Sequence, residues 1–321
     1  MQKRGGRAQS RLKPVELDPL AEYGLPSKGE KRLLSHKTQE SYYAKIAERY
    51  LAFCTEAGDR DGLHKQFDQL AITDRNAAAA GADASSSVPS LIPPPTSPTA
   101  GGLGTAVAST LATTPNLPSQ NRLAQILDAL RKLREAIVAS KRRDGFATQV
   151  YLFAIRLGVL ASSYESYYPA LLYLLRVLHH PSSLHSSLTT IELREAAGYL
   201  VLDAACRRGD LAGAYALRNT YRLRDAKVDG VLRALVQDDW VLWRRMKRNV
   251  DGHRAKIMEF AEPQMKRHLL KAFGRSYLSV DLEVLERQSG SDWMELRERF
   301  GVGWELGGNG KVVIRKIQGR T

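Results

Sequence analysis

The chain has 321 residues, 43% of them hydrophobic and 26% charged, with 48 Lys and Arg against 34 Asp and Glu. Its two cysteines, Cys54 and Cys206, cannot staple a disulfide framework and fall short of a zinc site, so a reducing compartment is expected. No apolar run reaches the roughly 18 residues of a membrane span, and basic residues 1–13 lack the apolar stretch of a secretory signal. The expectation is a soluble intracellular protein, cytoplasmic or nuclear, with no membrane partner.

The net charge of +14 is unevenly spread: residues 1–45 carry +5, residues 121–180 carry +5 and residues 207–250 carry +6, whereas residues 46–120 carry −3. Polyanions suit such a distribution, because each phosphate neutralised by a cation releases counterions. Basic helix faces that only keep the chain in solution suit it equally. Charge alone names no partner.

In chain order, residues 1–35 read as a basic disordered tail. Residues 36–75 read as two helices that pack on the later helical array. In the first, Tyr42, Ile46, Tyr50 and Phe53 recur at helical spacing, with Tyr43, Ala47 and Leu51 widening the stripe and Gly58 placed to end it. A shorter helix is expected through Leu63, Phe67 and Leu70. Residues 76–120 hold seven of the 13 prolines and a single charge, Asp83, with no apolar period. That composition cannot bury enough surface to offset its ordering entropy, so a disordered Pro/Ala/Ser-rich insertion is expected.

Residues 121–260 predict helix after helix. Leu123, Ile126, Leu127, Leu130, Leu133 and Ile137 form one stripe, and Phe146, Val150, Phe153, Ile155, Leu157 and Leu160 a second. Further helices are expected over 168–178, 191–206, 211–221, 228–236 and 240–250, with breaks at Pro181, Gly209-Asp210, Gly230 and Gly252. The fold class is mainly α, a solenoid-like array of helical hairpins without a fixed sequence period. Residues 261–318 change character. Pro263 suits a first helical position, with Met265, Leu269, Ala272 and Phe273 as the buried stripe. An extended piece comes next over 276–280, then a helix with Leu282 and Leu285 inward. The next helix starts at Asp292 with Glu295 as capping-box partner, burying Trp293, Leu296 and Phe300. Residues 304–306, the turn 307–310 and residues 311–317 predict a β-hairpin. Helix, strand, helix, helix, hairpin is the winged-helix order.

Particular segments carry a resemblance. They are Gly209-Asp210-Leu211-Ala212-Gly213-Ala214-Tyr215-Ala216-Leu217, Val236-Gln237-Asp238-Asp239-Trp240-Val241-Leu242-Trp243, and Tyr277-Leu278-Ser279-Val280-Asp281-Leu282. A helical array running into a C-terminal winged helix with these segments resembles the PCI domain, over about residues 122–318. It is most similar to the short branch containing COP9 signalosome subunit 8, the Nin1-type proteasome lid subunit and translation initiation factor 3 subunit k. The SAC3/GANP branch of mRNA export is also similar. The resemblance implies a non-catalytic scaffold subunit of a large multiprotein complex, with other PCI and MPN subunits as partners. In such proteins the winged helices associate edge to edge.

Chemistry is sparse. No phosphate-cradling loop of the Walker type and no strand-borne Gly-x-Gly-x-x-Gly occurs; Gly307, Gly308 and Gly310 lie in the hairpin turn. His179, His180 and His185 lack a carboxylate or thiolate at ligand spacing. No His-x-His is present, which separates the chain from the zinc isopeptidases of PCI assemblies. Cys54 and Cys206 read as small buried residues. The expectation is a non-enzyme with no cofactor, no metal and no small-molecule substrate.

Two binding roles remain. As a scaffold, the chain offers Lys311, Val312, Val313, Ile314 and Arg315 as a winged-helix edge for strand addition. As an RNA binder, it offers Arg244, Arg245, Lys247 and Arg248, joined by Arg207, Arg208, Arg218, Arg222 and Arg224, and by Lys266, Arg267, Lys271 and Arg275. Trp243 is either a stacking face for a base or a core residue. Residues 292–300 carry three acids against two arginines, which disfavours the winged helix's third helix as a DNA-reading element.

Overall fold

In the computed structural model, the described residues are Leu20, 23–58, Gly62, Phe67, 118–179 and 188–315, and they are mainly α-helical. Of the expected tail 1–35, residues 1–19, 21 and 22 lie outside them, as do most of the helix through Leu63 and Leu70, the Pro-rich insertion as far as residue 117, and His180 and His185; residues 23–35, expected to be disordered, instead hold short helical turns at Pro26–Lys28 and Arg32–Leu34, with Leu33 wholly buried. Two compact units divide the chain, Met1–Val150 and Tyr151–Thr321.

The first unit is built on α1 (His36–Ala57) and α2 (Pro118–Ala139), with α3 (Gly145–Leu160) beginning in it. The helix α2 starts at Pro118, so the linker expected to reach residue 120 ends earlier. Burial follows the predicted period: Tyr42, Ile46 and Phe53 from α1 meet Leu123, Ile126, Leu130, Leu133 and Ile137 from α2. Leu51, expected at the margin of the stripe, is exposed instead. Gly58 caps α1 at φ +74°, a conformation that suits glycine. Phe67 lies edge-on to Phe53, with ring centroids 5.9 Å apart.

A buried polar knot completes this unit. Arg142 pairs with Glu40 at 2.6 Å and Asp144 at 2.7 Å, and stacks on Phe146. Its Nη1 also donates to the carbonyl of His36 and to Gln39 Oε1. The buried Gln39 in turn donates to the carbonyl of Leu33 and to Ser140 Oγ. Each of these buried side chains is thereby given an acceptor, the condition for keeping such groups out of water.

The second unit continues α3 and adds α4 (Tyr164–Tyr173), which runs into a π turn at Leu174–Leu178. Next comes α5 (Thr190–Leu202), which runs into a second π turn, Asp203–Arg207, and then α6 (Leu211–Thr220) and α7 (Ala226–Val236). Beyond them lie α8 (Trp240–Asn249), α9 (Gly252–Met258) and α10 (Glu262–Ser276). Starts are written into the sequence. Thr189 and Glu192 form a reciprocal capping box, and Asp210, Asp225, Asp239 and Asp251 each accept a first-turn amide. Packing is between neighbours: α5 against α6 and α7 against α8, with α9 returning to α5 and α10 to α8.

Gly230 does not break a helix. It lies inside α7, where an added Cβ would come within 2.5 Å of Met246 Sδ on α8. The glycine lets the two helices approach rather than turn. Gly158 plays the same part in α3, its Cα facing the backbone and Cβ of Tyr167 on α4.

After α10 come β1 (Ser279–Asp281), α11 (Leu282–Ser289), α12 (Trp293–Glu298), β2 (Glu305–Leu306) and β3 (Lys311–Val313). The buried face of α10 is Met265, Lys266, Leu270 and Phe273; Ala272, expected in that stripe, is exposed. The helix also runs past Gly274 to Ser276, where an extended piece was expected. Asp292 accepts the amide of Glu295, and Glu295 turns its carboxylate to Arg299 rather than back to its cap. The antiparallel sheet has the order β1-β3-β2, pairing Val280 and Leu306 with Val312. Leu270, Phe273, Leu285, Leu296 and Val312 form the core beneath it, with Trp293, Phe300, Trp304 and Ile314 packed around.

Candidate functional site

The sheet order moves the candidate interface. Lys311, Val312, Val313, Ile314 and Arg315 were expected to supply a free edge, but β3 is the middle strand, paired on both sides. Val312 is wholly buried, Ile314 packs on the core, and Arg315 donates to the carbonyl of Arg275. The hairpin closes onto β1, and that closure consumes the hydrogen-bonding groups strand addition would need.

The open edges are β1 and β2. Leu278 accepts from the Ile314 amide, and the Leu282 amide donates to Gly310. With a period of two, Val280 also faces β3, and the amide and carbonyl of Ser279 and the amide of Asp281 point away from β3, while the Asp281 carbonyl accepts the first bond of α11 as its N-cap. Tyr277 and Leu278, at the entry to β1, are 50% and 48% exposed. On the other side Leu306 of β2 is 45% exposed. Sequence reasoning missed β1 as an edge, although its extended character was legible. What it lacked was the pairing of β1 with the far strand of the hairpin.

The predicted basic residues fall into two sets. Arg244 Nη1 donates to the carbonyls of Arg287 (2.7 Å) and Gln288 (2.9 Å), closing the last turn of α11. Lys247 pairs with Glu262 at 2.6 Å. Lys266 is buried, donates to Ser291 Oγ at 2.6 Å and lies beside Phe300. These three were expected to be open to phosphate, and each instead holds the fold together. Arg207 grips Asp203 through two bonds of 2.6 and 2.9 Å, Arg208 stands 3.6 Å from the same carboxylate, and Arg218 forks onto Asp229.

The second set is open. Arg245 and Arg248 on α8, and Arg267 and Lys271 on α10, are exposed and have no ion-pair partner among the described residues. Arg275 is exposed as well, with its carbonyl bound by Arg315. Arg267, Lys271 and Arg275 recur every four residues, which puts them on one face of α10.

A pocket of about 370 Å³ lies where α8, α9, α10 and α11 meet, lined by Trp240, Trp243, Arg244, Lys247, Arg248 and Glu262, with Ser289 and Gly290 at one end. Trp243 is wholly buried, which makes it a core residue rather than a stacking platform. Trp240 Nε1 donates to the Gln288 carbonyl at 2.6 Å, whereas Trp243 Nε1 has no acceptor among the described residues.

Electrostatic strain elsewhere is balanced. Asp203, wholly buried, accepts from Tyr167 Oη at 2.7 Å besides its arginines. Burial, with Asp203 beside it, pushes the Tyr167 hydroxyl well above its ordinary value and keeps it a donor. Burial raises Glu195, yet its bonds from Arg156 and Tyr199 outweigh that and hold it below the usual carboxylate range. Burial likewise pushes the Cys206 thiol up and leaves it protonated, which suits a packing role.

Among the described residues no three His, Cys, Asp or Glu side chains group as a metal site, and no helix is long and apolar enough to cross a membrane. No family model matches this sequence, and no curated protein matches it.

Proposed function

We propose that this chain is a non-catalytic scaffold subunit of a PCI-type multiprotein assembly. Its helices form the radiating array, and α10, β1, α11, α12, β2 and β3 form a winged helix. The observation that carries the proposal is the open β1 edge, with Ser279 and Asp281 turned outward beside exposed Tyr277 and Leu278. Apolar side chains flanking unpaired main-chain groups are the features by which sheets add a strand from a partner. The succession of neighbour-packed helices and the residue resemblance to the short PCI branch support the same conclusion. The docking edge of this proposal is β1, not the segment Lys311–Arg315.

The test is Ser279→Pro. Proline there removes an outward amide that β3 does not use, so the sheet keeps its bonds while strand addition is blocked. Tagged wild-type protein purified from its native cell with nuclease present is expected to bring other PCI and MPN subunits with it, and the variant to lose them. Undiminished co-purification of a folded Ser279→Pro protein refutes the β1 edge; wild-type protein recovered without such subunits refutes the scaffold role.

A further inference from the structure

The open edge of β1 has a direction, written both in charge and in main-chain groups. Where the strand begins, Lys271 and Arg275 of α10 and Arg315 after β3 are exposed, and residues 263–280 hold no acid. Where it ends, Asp281 and Glu283 are exposed. Lys311 stands 4.0 Å from Asp281, whereas Glu283 has no ion-pair partner among the described residues. Ser279 turns both its amide and its carbonyl outward. Asp281 offers only its amide, because its carbonyl starts α11. Tyr277 offers only its carbonyl, because its amide is bonded to Phe273 of α10.

We infer that the strand added to β1 is the β1 of a second copy of this chain, antiparallel about a two-fold axis at Ser279. This rests on the open β1 edge and names its occupant. Such an axis sets residues equally far before and after Ser279 opposite one another. Ser279 then exchanges two bonds with Ser279 of the second copy, and each Asp281 amide meets the other chain's Tyr277 carbonyl. The groups this pairing leaves over, the Tyr277 amide and the Asp281 carbonyl, are those already bonded within each chain. Leu278, 48% exposed and on the same face as Val280, comes opposite Val280 of the second copy. Arg275 and Glu283 lie four positions to either side of Ser279, so the basic end of each copy meets the acidic end of the other. An unrelated acidic strand would match one end of β1 and be repelled by the other. Self-pairing also covers an edge that would otherwise recruit strands indiscriminately, until a subunit of the assembly displaces it.

Sedimentation equilibrium of the full-length protein tests this at about 0.15 M salt, where a Debye length of about 8 Å screens the repulsion between chains of net charge +14. A dimer half formed at about 10–100 µM is expected, the strength of a small interface. Ser279→Pro should leave a monomer. Arg275→Glu and Glu283→Arg each give the two ends of the edge the same sign, and each alone should weaken self-association about tenfold or more. Mixed in equal amounts, these two variants should associate again to within about threefold of the wild type, because each presents the charge the other lacks. Both positions are exposed on helices, so this arm does not depend on how Ser279→Pro folds. Wild-type protein that stays monomeric up to about 0.5 mM overturns the inference, as does a dimer undiminished in Ser279→Pro or a pair of variants that stay apart when mixed. A monomeric wild type that still brings down PCI and MPN subunits through Ser279 refutes the second copy alone. A dimer that brings down none refutes the scaffold role and keeps the second copy.

Discussion

Asp203 is the carboxylate on which the second unit depends, and replacing it by alanine tests that dependence. The side chain is wholly buried in the π turn after α5 and takes Tyr167 Oη from α4, both forks of Arg207, and the more distant Arg208. Removing one partner from a buried ion pair costs about 3–5 kcal/mol, because the other charge stays desolvated. Arg207 keeps 20% of its side-chain surface in water and lies over Tyr164, so it recovers part of its hydration. The lost tyrosine bond adds about 1 kcal/mol. A net loss of about 3 kcal/mol results, and for a unit of about 150–250 residues each kcal/mol moves Tm by about 2–4 °C. The expected fall is about 6–12 °C. All four tryptophans lie between residues 240 and 304, so thermal unfolding followed by their fluorescence reports this unit alone. Tyr167→Phe should cost only about 1 kcal/mol by the same assay. A fall below about 3 °C in Asp203→Ala refutes the idea that this carboxylate ties α4 to α5.

Two further predictions separate packing from propensity and buried from solvated histidine. Gly158→Ala gains about 1 kcal/mol of helix propensity but drives a Cβ to 3.0 Å from Tyr167 Cβ and 3.1 Å from its backbone nitrogen, where overpacking costs about 1–3 kcal/mol. Gly230→Ala meets only the thioether of Met246, which can rotate away, so urea unfolding should show Gly158→Ala the more destabilised; the reverse order contradicts the packing argument. Burial holds the His253 pKa below its ordinary 6.5, against the raising influence of Asp251 and Glu195, with Arg156 adding to the depression. The unfolded chain therefore binds a proton first, so stability is full above pH 6.5 and declines as the pH falls through that value. His253→Gln should flatten unfolding free energy measured between about pH 8 and pH 5, and an unaltered slope there would show that other groups carry it.

Much of the helical layout was legible because burial repeats every three to four residues and the caps are explicit. Tyr42, Ile46, Leu130 and Leu133 are buried where the stripes placed them, and Gly58 and Asp292 stand at the ends they predicted. What escaped was whatever depends on a second element. Gly230 carries the local signature of a break, yet its function is set by Met246 on a different helix. Ala272 and Leu270 are equally compatible with the stripe of α10 until the position of α11 decides which one is covered. The edge was misplaced for a related reason. A hairpin signature locates two strands but not the third strand beside them, and β1 pairs with residues 30 or more positions away.

The basic residues show why charge counted along a sequence overstates a binding surface. The stretch 207–250 carries +6, yet Arg207, Arg218 and Lys247 are neutralised by Asp203, Asp229 and Glu262. Arg244 offsets the negative end of the α11 dipole rather than facing solvent. A cation bonded within the fold has already lost the hydration that binding a polyanion would otherwise displace, and recruiting it outward would break structure. The long-range field that steers a polyanion depends on total charge and so still includes these residues. Counterion release on contact depends on cations that can touch phosphate, and among the described candidates that set narrows to the exposed Arg222, Arg224, Arg245, Arg248, Arg267, Lys271 and Arg275.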